Sequence, residues 1–142
     1  MEIVNKKARF EYFIDDEIEA GIVLVGSEIK SVRKGSVDLK DSFVHIKNHE
    51  VFLINTYIAQ YNEANQFNHE DRRSRKLLLH KNEIRKLEEK VKIEGYTLVP
   101  LKMYFKQNNA KVLVGVCRGK KLYDKRETIK ERDIKRTNNL FY

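Results

Sequence analysis

Cations set beside aromatic rings are the side-chain chemistry this chain offers most of. Lys6, Lys7 and Arg9 lie near its start, and Lys30, Arg33 and Lys34 follow within one short stretch. The run from Asp71 to Lys76, which includes Arg75, holds four positive charges in six residues. From Arg118 onward nine cations face four carboxylates, so this stretch carries five of the chain's eight net positive charges. Its cations include Lys120, Lys121, Lys125, Arg126, Lys130 and Arg132. Phe10, Phe67 and Tyr123 stand among these clusters. Lys and Arg engage phosphates, and rings stack on unpaired bases, so the combination points to nucleic acid. Phe10 and Phe13 read as core side chains. Tyr123, flanked by basic residues, reads as functional.

Enzyme chemistry finds less support. His69, Glu70, Asp71 and His80 offer metal-binding or acid–base groups, but no His-x-x-x-His or paired-Cys spacing accompanies them. The serines lack a nucleophile-elbow context. Gly115 and Gly119 lack the spacing and the following helix of a phosphate-cradling loop. A nuclease is the enzyme class to test for in a protein this basic, yet no carboxylate–metal pattern supports one. No metal and no cofactor are expected.

Composition narrows the setting. The 142 residues suit one domain with room for a tail, and 41% hydrophobic residues suit one modest core. Charged residues make up 35% and the net charge is +8, the balance of a protein with a polyanionic partner. A single cysteine, Cys117, excludes an internal disulfide and a cysteine zinc site, and its apolar strand marks it as core. No apolar run approaches a membrane span, and Met1–Arg9 shows no signal-peptide pattern. A cytoplasmic location without membrane contact is expected.

The elements that must position these groups centre on residues 19–35. Ile22 to Val25 reads as a buried strand, Ser27 as a helix N-cap, Glu28 as a first-turn acid, and Gly35 as the left-handed residue after the last turn. The helix between them would turn Lys30, Arg33 and Lys34 outward. Phe43–Lys47 and Val51–Ile54 form a hairpin through Asn48-His49. Tyr57–Arg75 reads as a long exposed loop. His80–Lys92 is the clearest helix, with His80 as cap and Glu83 reaching back to it. Tyr96–Phe105 and Lys111–Cys117 are strands, with Pro100 marking an edge or bulge and Gly115 a bend or close approach. Phe10–Ile14 begins a further strand behind a loosely ordered basic arm. The expected fold is mainly β: an oligonucleotide-binding-like closed antiparallel barrel of about six strands with two or three short helices. Residues 1–117 would form that domain. Residues 118–142 would form a basic tail, disordered when free and helical against an anion.

Several segments in order carry a resemblance. Asn5-Lys-Lys-Ala-Arg9, Tyr12-Phe-Ile14, Glu19-Ala-Gly-Ile22, Gly26-Ser-Glu-Ile-Lys-Ser31, Arg75-Lys-Leu-Leu-Leu79, Gly95-Tyr96 and Gly119-Lys-Lys121 with Asp124-Lys-Arg126 resemble the SsrA-binding protein (small protein B) family of bacteria. The resemblance implies binding to the tRNA-like domain of transfer-messenger RNA and its delivery to stalled ribosomes for trans-translation. It implies elongation factor Tu as co-delivering partner, with the tail in the decoding centre and empty mRNA channel, and no catalysis. It also implies that Glu19, Leu78 and His80 touch RNA, and that Asp124, Lys125 and Arg126 act after RNA is bound. Many relatives have Asn at the position of His80. Tyr123 stands where some carry His. A general single-stranded RNA-binding protein or chaperone on the same barrel is the competing reading, separable by its indifference to tRNA-like structure. A ribosomal structural protein, separable by permanent co-sedimentation with ribosomes, is a third.

Overall fold

The computed structural model describes residues 2–60 and 68–119. The expected tail, including Lys120, Lys121, Tyr123, Asp124, Lys125, Arg126, Lys130 and Arg132, lies outside the described residues, as does Phe67.

Among the described residues the chain forms nine strands and three helices. They run β1 (Glu2–Val4), α1 (Ala8–Glu11), β2 (Tyr12–Ile22), α2 (Gly26–Arg33), β3 (Val37–Asp38), β4 (Phe43–Lys47), β5 (Glu50–Ile54), β6 (Tyr57–Ile58), β7 (Arg75–Leu78), α3 (Lys81–Lys92), β8 (Thr97–Lys106) and β9 (Asn109–Gly119). Seven strands make one antiparallel sheet in the order β1-β8-β9-β2-β7-β5-β4, and β3 pairs with β6 apart from it. The sheet does not close into the expected barrel. It curls until β4 lies alongside β8, but β4 pairs only with β5 and β1 only with β8. Part of the reason lies on the outer edge of β8. Pro100 has no N–H to offer. Asn5 already donates to the carbonyls of Pro100 and Leu101, each at 2.8 Å.

Local chemistry built the two hairpins. Asn48 and His49 between β4 and β5 have φ of 53° and 63°, and Gln107 and Asn108 between β8 and β9 have 53° and 67°. Positive φ at both central residues matches the right-handed twist of the flanking strands. Pro100 marks a bulge, where the β8–β9 register skips Leu101. The skip switches faces: Leu98 and Met103 join the main core, while Val99 and Leu101 join a smaller cluster with Ala8 and Cys117. Gly115 is a close approach. A Cβ there would fall 2.9 Å from the Leu101 side chain.

Other expectations need correction. The basic arm is ordered as β1 and α1. Phe10 belongs to α1 and is 81% exposed, so it is no core residue. The strand at Ile22–Val25 stops at Ile22, leaving Val23 and Val25 well exposed. The cap of α2 is Val25, not Ser27: Glu28 reaches back to accept the Val25 N–H at 2.9 Å. Ser27 is buried instead, with its Oγ 2.8 Å from Nδ1 of His69. The helix starts at α3 and its cap His80 match the pattern, as Glu83 accepts the His80 N–H at 2.9 Å. Strand β9 continues two residues past Cys117, placing Arg118 opposite Phe13 in the sheet.

Candidate nucleic-acid interface

Strand β2 carries Glu19 onto an exposed face between β9 and β7. Two rungs further along, Gly21 pairs with Leu78 on one side and Lys111 on the other. Gly21 has no side chain to fill the space, and an added Cβ would lie 3.4 Å from that of Leu78. The result is an open cleft of about 590 Å³ in which Glu19, Leu78, His80, Glu83 and Lys111 meet. Leu78 is 52% exposed, an apolar surface left uncovered at the end of β7. His80 reaches the rim because it caps α3 immediately after β7.

The electrostatics of Glu19 come from β8. Tyr104 donates its hydroxyl to Oε2 of Glu19 at 2.5 Å, and Nζ of Lys106 lies 3.5 Å from Oε1. The Tyr104 bond, followed by the charge of Lys106, holds the carboxyl below its ordinary range. Burial, then the bond to Glu19, pushes the Tyr104 phenol up to about 12. Glu19 is therefore an ionised acceptor at neutral pH, fixed by one donor and flanked by Lys106 and Lys111. A carboxylate so held has the chemistry to accept hydrogen bonds from base amines or ribose hydroxyls, and lysines beside it the charge to neutralise phosphates.

The family described as SmpB protein matches residues 2–141. SsrA-binding proteins of Staphylococcus aureus (strain JH1) and Staphylococcus saprophyticus are 59% and 58% identical over 132 residues, 93% of this chain and 86% of each relative. The chain belongs to the SmpB family. A solved chain described as "tmRNA-SmpB: a journey to the center of the bacterial ribosome" is 48% identical, with a TM-score of 0.74 over 95% of both chains.

Other residues expected to contact RNA fall in several places on this SmpB fold. Lys6, Lys7 and Arg9 are exposed around the start of α1, where Arg9 pairs with Glu17 at 3.8 Å. Lys30, Arg33 and Lys34 are exposed on α2, as its pattern requires, with the Arg33 guanidinium 4.6 Å over the Phe105 ring. Lys76 is exposed on β7 and paired with Glu50 at 3.1 Å. Arg75 is the correction. It is wholly buried, with Nε donating to Oε2 of Glu28 at 2.7 Å and Nη1 to the Thr56 carbonyl at 2.6 Å. Arg73 donates to the same carboxylate at 2.7 Å. Burial works to raise the Glu28 carboxyl, but bonds from Arg73, the Val25 amide and Arg75 together hold it below its ordinary range. Within the expected loop, whose residues 61–67 lie outside the described residues, His69, Arg73 and Arg75 are thus struts, while Glu70, Arg72 and Ser74 are exposed. His69 acts through Nε2, which donates to the Ile58 carbonyl at 2.8 Å.

Tyr104, Lys106 and Lys111 were not singled out from sequence. A signal existed: Lys102, Tyr104 and Lys106 alternate along β8, the spacing that puts them on one face of a strand.

Proposed function

We propose that this protein binds the tRNA-like domain of transfer-messenger RNA and brings it to stalled ribosomes for trans-translation. The observation that carries the reading is the match of nearly the whole chain to a tmRNA-SmpB chain, at 48% identity and a TM-score of 0.74. The cleft adds a place for the contact, since it unites Glu19, Leu78 and His80 from three different elements. Leu78 offers an apolar platform, and Glu19 accepts from bases or riboses. Lys106 and Lys111 neutralise phosphates, helped at longer range by Lys30, Arg33 and Lys34 on α2. Recognition of this kind reads the shape and exposed bases of a folded RNA. The residues from Lys120 onward act on the ribosome, in the decoding centre and mRNA channel, and elongation factor Tu joins the delivery complex. The protein works in the cytoplasm, and no described helix is long and apolar enough to cross a membrane. It contributes binding and placement; the SmpB family is one of RNA binding, not catalysis.

The test compares affinity for the tRNA-like domain with affinity for an unrelated hairpin of equal charge, at about 0.15 M salt, where loose attraction is screened. A preference of about tenfold, roughly 1.4 kcal/mol, that falls when Glu19 or Leu78 is replaced is the expected result. Equal binding to both RNAs would leave only counterion release and a general RNA-binding protein.

A further inference from the structure

Asp15 is the extra residue of a bulge in β2. Ile14 pairs with Cys117 and Asp16 with Val116, so Asp15 falls between two rungs of the β2–β9 ladder. A bulge re-aims one side chain out of the strand's alternation. Here the carboxylate meets Arg118, with Nε 3.0 Å from Oδ2 and Nη2 3.2 Å from Oδ1. That is the two-pronged geometry in which guanidinium and carboxylate fix each other's orientation. The hydroxyl of Tyr96, in the connection between α3 and β8, adds to the lowering of that carboxyl. Phe13, the cross-strand partner of Arg118, lies 5.5 Å from the guanidinium. The Arg118 bond, then the influence of Tyr96, holds the Asp15 carboxyl below its ordinary range, so the clamp is charged at neutral pH.

The location gives the cluster its meaning. An exposed ion pair contributes little stability by itself. This one ties β2 to β9 through a bulged side chain at the end of the last strand. Only Gly119 separates Arg118 from the basic run that starts at Lys120. Strand ends fray unless tied down. Opening the last two rungs, Phe13–Arg118 and Tyr12–Gly119, would lengthen the tether and scatter the direction in which the chain leaves the sheet.

We infer that Asp15, with Phe13, is a positioning residue for the C-terminal segment, clamping Arg118 so that the end of β9, from which that segment continues, stays fixed on the SmpB fold. This rests on the reading of the tail as the ribosome-acting part. A tail launched from a fixed root meets its site at a higher effective concentration than one on a longer, freer tether. The cleft at Glu19 takes no part, so RNA binding and tail placement are separable functions of the same sheet.

The experiment uses the full chain carrying Asp15→Asn, with Asp15→Glu as the conservative variant. Three quantities are read: hydrogen exchange at the Arg118 and Gly119 amides, affinity for the tRNA-like domain, and tagging on stalled ribosomes. Asp15→Asn is expected to speed exchange at those two amides, leave RNA affinity within about twofold, and lower tagging about fivefold or more. Asp15→Glu is expected to restore part of the loss. Unchanged exchange and unchanged tagging would overturn the inference. So would equal losses of RNA affinity and tagging, which would make the cluster part of the RNA site. A chain ending at Gly119 serves as control. If it supports tagging as well as the full chain, the reading of the tail fails, whereas altered exchange in Asp15→Asn would still register the clamp.

Discussion

Replacing Arg75 with Ala separates a strut from an RNA contact. Arg75 sits in a basic run, yet its guanidinium is wholly buried against Glu28. The same side chain donates to the carbonyl of Thr56 at 2.6 Å and to that of Asp71 at 3.1 Å. Its loss leaves a buried carboxylate with Arg73 and the Val25 amide as partners and takes the donor from the Thr56 carbonyl, while the Glu70 and Asp71 carbonyls keep the backbone N–H groups of Arg73 and Ile58. Breaking a buried pair from one side costs about 3–5 kcal/mol. The lower end applies here, because Arg73 still partners Glu28. Against a total stability of about 5–15 kcal/mol, a loss of about 3 kcal/mol is large. At roughly 3–4 °C per kcal/mol for a domain of this size, the melting midpoint should fall by about 10 °C. Arg75→Lys keeps the charge but not the fork, so it should fall between the parent and Ala. The assay is thermal unfolding by circular dichroism, followed by binding to the tRNA-like domain well below the lowered midpoint. Affinity there should stay within about threefold of the parent. A variant that melts with the parent but has lost its RNA affinity would refute the strut and return Arg75 to the RNA surface.

Tyr104→Phe should weaken RNA binding about fivefold, the worth of one ordinary hydrogen bond. Glu19→Gln should weaken it too, and the double variant should lose no more than the worse single one, because both act on the same contact; a double-mutant cycle measures this. Acid should destabilise the fold through Glu28. Its folded carboxyl lies below the ordinary glutamate range, so its contribution is fully present above that range and is lost as pH falls through the lowered value. Midpoints measured from about pH 6 to pH 3 should fall accordingly, and Glu28→Gln should flatten that part of the curve. Cys117 is buried, and burial followed by the charge of Asp15 pushes its thiol up to about 11. Iodoacetamide should therefore modify it slowly in the folded protein and fast in denaturant, as mass spectrometry would show.

What the sequence made legible was local. Asn48-His49 and Gln107-Asn108 tolerate positive φ, so both hairpins could be read from two-residue turns. His80 and Glu83 lie three apart and mark the start of α3. Pairings that depend on distant partners were hidden. Arg75 and Glu28 are 47 positions apart, and a guanidinium in a run of cations looks like surface until the carboxylate opposite it is known. Phe10 failed in the other direction: an aromatic residue next to a strand reads as core, yet a four-residue helix turns it outward.

The cleft shows the same division within a single site. Glu19, Leu78 and His80 were identified by resemblance, but what makes Glu19 usable is Tyr104, 85 positions away on a strand reached across β9. Alternation along β8 puts Tyr104 on the outer face with Lys102 and Lys106. It does not say that the β8–β9 hairpin register and the long-range β2–β9 pairing bring that face level with Glu19. Strand register is set by turns and bulges, and a one-residue slip would send the Tyr104 hydroxyl to the opposite face of the sheet. The Gln107-Asn108 turn sets the rung on which Tyr104 meets β9, and the bulge at Asp15 turns a carboxylate toward Arg118 at the end of the same strand.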